Sequence, residues 1–141
     1  MIRWLLVCDV SYGRIFRKDS SGSPMQLVQE ISNPDGRAQE SGAAGPNAPV
    51  ASMEPKNTAH QEMMMRFARH LADLLDKAAL RNEYDELAIV APARLLGQLR
   101  EQLSNNVSTR LRSDLAKEIA HVPMSELPSH LKDLGPNFVG M

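Results

Sequence analysis

From Thr58 onward the chain sets Met64, Phe67, Ala68, Leu71, Leu74, Leu75 and Ala78 at three- and four-residue spacing. In a helix of 3.6 residues per turn this spacing gathers them on one stripe. A long helix with one apolar face must lie against a second layer, so the rest of the chain has to supply one. The opposite face carries Arg66, Arg69, Asp73, Asp76 and Lys77, with Asp73 and Lys77 four apart in the favourable order. Thr58 and Gln61 read as a capping box, hydroxyl to first-turn amide and side-chain amide back to the Thr58 N–H, which predicts a helix start at Thr58. Of the run Met63-Met64-Met65, helical geometry lets one or two face the core.

The second layer is legible as strands. Trp4 to Cys8 is a continuous apolar run, the pattern of a central strand buried on both faces. Asp9 to Gly13 supplies turn residues, Arg14 to Lys18 resumes as a strand able to return antiparallel, and Gln26 to Ile31 follows after a second turn. The front of the chain is therefore a three-stranded meander. Beyond the long helix, Leu87 to Ala91 is a short apolar strand ending at Pro92. Proline there suits the first turn of a helix striped with Leu95, Leu96, Leu99 and Leu103 and broken at Asn105-Asn106. Strand, helix, strand, helix in this order implies parallel pairing across a crossover. In 107–120, Leu111, Leu115 and Ile119 repeat every four residues and favour a helix, while a strand in part of the segment would complete the sheet. Ser125 is placed to cap a last short helix containing Leu127 and Leu131. The fold class is thus α/β, a single domain over residues 1–141 with a mixed sheet flanked by helices.

Between Asn33 and Asn57 the composition changes: Gly36, Gly42, Gly45, Pro34, Pro46, Pro49 and Pro55 stand among small polar residues. The segment 33–57 is read as a flexible loop presented at the head of the long helix, of a length that compact domains seldom carry without a use for it. At 141 residues the chain suffices for one core, burying roughly 70% of the unfolded surface. Sixteen Lys and Arg against seventeen Asp and Glu give a net charge of −1, so a nucleic-acid role would need a local basic patch, not a global field. The apolar run at the N-terminus stops at Asp9, far short of the ~18 residues of a membrane span. The chain is accordingly read as soluble and cytoplasmic, with no membrane contact. Its single cysteine, Cys8, lies in the first strand and is expected to be a buried small hydrophobe.

No pattern announces catalysis. Asp9 at a strand end could hold a divalent ion, but two-metal chemistry needs converging carboxylates and no other strand ends in one, so Asp9 is read as a turn residue. His60, His70, His121 and His130 show no ligand spacing, and no glycine-rich phosphate fingerprint is present. No catalytic residue, metal or cofactor is assigned. What remains is a cation cluster around the loop and its helix: Arg37, Lys56, His60, Arg66, Arg69 and His70, interrupted by Glu54, Glu62, Asp73 and Asp76. Brought onto one surface, these six would contact phosphates.

Five stretches taken together resemble a known family. They are Cys8-Asp9-Val10-Ser11-Tyr12-Gly13-Arg14-Ile15-Phe16, the loop ending Met53-Glu54-Pro55, Phe67-Ala68-Arg69-His70-Leu71-Ala72-Asp73, Val90-Ala91-Pro92-Ala93-Arg94-Leu95-Leu96-Gly97-Gln98-Leu99-Arg100, and Leu115-Ala116-Lys117-Glu118. In order and over nearly the whole chain they look like the bacterial host attachment proteins, a family similar in turn to the middle domain of archaeal and eukaryotic class-1 translation release factors. The resemblance implies an α/β fold of the ribonuclease-H-like kind. In release factors the loop before the long helix carries a Gly-Gly-Gln tripeptide that promotes ester hydrolysis on the ribosome. The matching stretch here reads Ser41-Gly42-Ala43-Ala44-Gly45, without the tripeptide, so no catalytic residue carries over. The expectation is a non-enzymatic binding module with a ribosomal or other RNA partner. A release-factor-like hydrolase acting on peptidyl-tRNA and a protein-interaction or adhesion role are the alternatives. The oligomeric state is left open.

Overall fold

Strand β1 (Arg3–Cys8) is central because both of its faces are apolar: Trp4, Leu6 and Cys8 alternate with Leu5 and Val7, and all five are buried. The computed structural model describes residues 1–19, 23–33, 55–134 and 138, with the backbone alone for 55–58. β2 (Tyr12–Lys18) pairs antiparallel with β1, and β3 (Gln26–Ser32) antiparallel with β2. Helix α1 (Pro55–Leu80) leads to β4 (Glu86–Ala91), which lies parallel to β1 on its other side. Helix α2 (Ala93–Gln102) and the one-turn helix α3 (Asn105–Ser108) connect β4 to β5 (Leu111–Ala116), again parallel. The result is a five-stranded mixed sheet in the order β3-β2-β1-β4-β5. The predicted meander and the parallel pairing are both present.

The two sheet faces are covered differently. On one, Trp4, Leu6, Cys8, Leu87 and Ile89 meet Phe67, Leu71 and Leu75 of α1 and Leu95 and Leu99 of α2. On the other, Leu5, Val7, Phe16, Ala88 and Val90 meet Ile119, Leu127, Leu131, Leu134 and Phe138 from the last third of the chain. That last layer is short: a 3-10 turn over Met124–Glu126, helix α4 (Leu127–His130) and a second 3-10 turn over Lys132–Leu134. Phe138 is buried among them. Gly13 sits opposite Cys8 in the β1–β2 register, where a Cβ would come within 3.2 Å of the Cys8 Cβ, so a larger residue would press the strand pair apart by a few tenths of an ångström.

Three expectations are corrected and one open reading, that of 107–120, is decided for the strand. Helix α1 starts at Pro55 and not at Thr58; proline lacks the N–H that a first turn leaves unsatisfied, so the helix extends back to it and Thr58 falls inside the first turns. Asn105-Asn106 opens α3 and does not break α2. The break is at Leu103, and Ser104 caps α3 by accepting from the Val107 N–H at 3.2 Å. The segment over 107–120 contains strand β5, since four-residue spacing suits a strand of period two as well as a helix. A bulge opposite Leu87/Ala88 then turns Leu111 toward the α1 side and Leu115 toward the other. Ser125 lies within the 3-10 turn, and Glu126 is the residue preceding α4. The loop expected over 33–57 falls outside the described residues, apart from Asn33 and the α1 backbone from Pro55.

The C-terminus of α1 is closed by a Schellman motif. The Asn82 N–H donates to the Ala79 carbonyl at 3.0 Å and the Glu83 N–H to the Ala78 carbonyl at 3.0 Å, with Asn82 at φ 56°. Asparagine tolerates this left-handed conformation less well than glycine. Asn82→Gly is therefore expected to raise unfolding free energy by about 0.5 kcal/mol, after subtraction of the glycine's larger unfolded-state entropy. Urea denaturation checks the sign, and a loss above ~0.5 kcal/mol counts against the motif as the closing device.

Candidate functional site

In an open α/β sheet the crevice outside the carboxyl ends of parallel strands, where chain direction switches, is the usual ligand position. Here that place lies between β1 and β4, because the chain runs outward from β1 to β3 and then crosses back to β4. The first residue beyond β1 is Asp9. Its Oδ1 accepts from the Ser11 N–H at 2.9 Å, the Ser11 hydroxyl at 3.0 Å and the Tyr12 N–H at 2.9 Å. Its Oδ2 lies 3.1 Å from His121 Nε2, and the His121 ring stacks on Tyr12 with centroids 5.1 Å apart. Asn33 completes the turn: its side-chain amide donates to the Val10 carbonyl at 2.7 Å and its N–H to the Ser11 carbonyl at 2.9 Å. Asp9 is thus the hub of a tight turn, as its type and position predict.

Above this turn opens a cleft of about 410 Å³ lined by Asp9, Val10, Ser11, His60, Met64, Pro92, Arg94, Leu95 and Glu118 among others. It gathers groups from the ends of β1, β4 and β5 and the inner face of α1. A second groove of about 450 Å³ runs between α1 and α2, past Gln61, Met65, Gly97, Gln98 and Glu101, and shares Met64, Ala93 and Arg94 with the cleft. Among the described residues, Arg94, His60 and Glu118 have no hydrogen-bond or ion-pair partner. Gln98 Oε1 is buried and likewise unsatisfied. Among the described residues no group of three or more His, Cys, Asp or Glu side chains gathers as a metal site would require.

Of the six cations singled out in the sequence, the four whose side chains are described do not share one surface. His60 shares the inward stripe of Met64, Phe67 and Leu71 and lines the cleft. Arg66, Arg69 and His70 are exposed on the outer face of α1, because at 100° per residue Arg69 lies about 180° from His60. Arg37 and the Lys56 side chain fall outside the described residues. Of the methionine run, Met63 and Met64 are buried and Met65 borders the groove. Arg94 and Glu118 were missed. Both are ordinary surface residue types, 24 positions apart, and only the parallel pairing of β4 with β5 brings their strand ends together.

Cys8 ends β1 beneath this turn, fully buried, and burial together with the neighbouring Asp9 charge pushes its thiol far above the ordinary range. A protonated, enclosed thiol is a poor nucleophile. Native protein is expected to resist iodoacetamide at neutral pH and to react once unfolded in urea. Alkylation of folded protein at the rate of a free thiol would contradict the burial.

The family described as "protein required for attachment to host cells" matches residues 4–131. The chain belongs to the host attachment protein family. No curated protein matches it. Among solved structures, this family member is similar to the crystal structure of archaeal translation termination factor aRF1, at 11% identity and a TM-score of 0.52. It is similar to the same degree to a structure titled "Archaeal protein", at 10% identity and a TM-score of 0.52. In both cases 96% of this chain is covered and 35% of the other, so the host attachment protein spans about a third of those chains. At such identity the likeness is one of fold. Among the described residues of this family member, no helix is long and apolar enough to cross a membrane.

Proposed function

We propose that the chain is a non-enzymatic cytoplasmic binding module whose partner is ribosomal or other RNA. The observation that carries this is the convergence of unpaired Arg94 and His60 on the strand-end cleft, beside the first half of a helix whose outer face presents Arg66 and Arg69. RNA is held chiefly through phosphates, by Arg and His donors placed along a surface. The fold likeness to a translation termination factor and the strand order β3-β2-β1-β4-β5 support a place on the translation machinery and the ribonuclease-H-like assignment. Binding is favoured over catalysis at the turn itself, because Asp9 and the thiol of Cys8 beneath it are both committed to structure.

Co-sedimentation with ribosomes at low and moderate salt tests the reading. The wild-type chain is expected to pellet at low salt and to be released as salt rises. Arg94→Glu, and separately Arg66→Glu with Arg69→Glu, should each weaken binding by roughly tenfold and flatten the salt dependence. No pelleting at low salt, or pelleting indifferent to both charge reversals, would send the search to protein partners.

A further inference from the structure

We propose that the strand-end cleft takes one nucleoside monophosphate unit, with its phosphate at Arg94 and His60 and its base or ribose donors at Glu118. The inference rests on the RNA reading above and names what the cleft itself would recognise. The same unit has two sources, a free nucleotide and an unpaired nucleotide within an RNA.

The chemistry of the lining selects this class. A volume of about 410 Å³ lies at the lower end of the ~300–1,000 Å³ usual for small-molecule sites, more than a bare inorganic anion fills. Arg94 and His60 call for an anion, yet Glu118 faces the same space and calls for a donor, and none of the three has a partner among the described residues. A purely apolar ligand would desolvate all three without compensation. A dicarboxylate would set its second charge against Glu118. Between the charged groups the walls are apolar, from Val10, Met64, Pro92 and Leu95, and a methionine thioether packs well on the face or edge of an aromatic ring. A nucleotide joins an anion, a flat ring and hydrogen-bond donors in one molecule. Asp9 competes less for the donors, since its Oδ1 already accepts from Ser11 and Tyr12 and its Oδ2 faces His121. The adjoining groove offers the next step along a strand, where the polar side chains of Gln61, Gln98 and Glu101 would meet a second base or a ribose 2′-hydroxyl.

Calorimetric titration of the full chain with AMP, UMP, adenosine, inorganic phosphate and a five-nucleotide single-stranded RNA tests the proposal. The monophosphates are expected to bind saturably and at least about tenfold more tightly than phosphate or adenosine. Arg94→Ala should weaken them by about tenfold or more, while Glu118→Gln should weaken the nucleotides and leave phosphate unchanged or tighter. Both side chains are exposed, so unchanged thermal unfolding will show that neither variant acts through the fold. Tighter binding of the oligonucleotide than of the monophosphates assigns the unit to RNA, and equal binding to free nucleotide. Phosphate binding as tightly as AMP, no saturation by any nucleotide at millimolar concentration, or indifference to Arg94→Ala overturns the inference. Ribosome co-sedimentation that persists while nucleotide binding fails removes the cleft proposal and leaves the RNA reading standing. Nucleotide binding without co-sedimentation does the reverse.

Discussion

Tyr84→Ala is expected to lower unfolding free energy by about 3–5 kcal/mol, the range for removing a fully buried aromatic side chain. Tyr84 is completely enclosed where the end of α1, the start of β1 and the residues after α3 meet. Its ring stacks on Trp4 with centroids 4.9 Å apart, and the Arg110 guanidinium lies 5.7 Å from its centre on another side. Its hydroxyl donates to the Leu75 carbonyl at 2.8 Å, and its own carbonyl accepts from Arg110 Nη1 at 2.6 Å. Burial, opposed by the Arg110 charge, pushes the phenol well above its ordinary range, so it stays protonated and donating across neutral pH. Truncation removes the ring from three packed elements at once and leaves a cavity that helix and sheet cannot both close. A domain stable by ~5–15 kcal/mol would lose about a fifth or more of its margin, or roughly 10–20 °C of melting temperature. Tyr84→Phe keeps the ring and gives up one hydrogen bond, about 1 kcal/mol. Urea denaturation of both variants separates ring from hydroxyl, and the account fails if alanine costs less than ~1.5 kcal/mol or if the two variants cost the same.

Tyr84 also illustrates what could be read from the chain and what could not. The sequence Asn82-Glu83-Tyr84-Asp85 is legible as a helix end, but nothing local says that its tyrosine is the most enclosed side chain there. β1 and β4 are plain in the sequence because strands buried on both faces are continuous apolar runs. The α1 stripe is equally plain because 26 residues give the helical period room to repeat. β5 is not, since Leu-Arg-Ser-Asp-Leu-Ala is an edge strand with no fully buried position and no β-branched residue. Its two leucines fit a helix equally well, and the bulge that separates them onto opposite faces depends on the partner strand.

The cleft was legible only in one part. His60 stood out as a cation, yet its helical phase, shared with Met64 and Phe67, already separates it from Arg66 and Arg69. Arg94 and Glu118 carry no local signature, because a site built at a switch point draws single residues from strand ends that only the sheet order unites. Site prediction from local motifs therefore succeeds for the turn at Asp9, which is contiguous, and fails for the cleft above it, which is not.

That turn carries the second large expectation. Asp9→Ala should cost about 2–3 kcal/mol, because the Ser11 and Tyr12 N–H groups and the Ser11 hydroxyl lose their common acceptor in a half-buried place. The register of β2 on β1 starts at this turn, and the Asp9 N–H itself donates to the Tyr12 carbonyl at 2.8 Å. Loosening the turn therefore frays the central strand pair next to the cleft. Asp9→Asn presents the same Oδ1 acceptor and surrenders only the charge facing His121. The His121 side chain is 68% exposed, and solvent screening holds that pair to less than ~1 kcal/mol. The expected order of stability is wild type, then Asn slightly below, then Ala well below, with Cys8 alkylation reporting any opening of the strand end. A gap between Asn and Ala of under ~0.5 kcal/mol would mean that the oxygen shared by the three donors is not what holds the turn. Because Asp9 lines the cleft with its Oδ1 held by three donors and its Oδ2 turned to His121, the Asn variant is expected to keep whatever ligand affinity the wild type has. A variant that is stable yet loses ligand would instead make Asp9 part of the recognition itself.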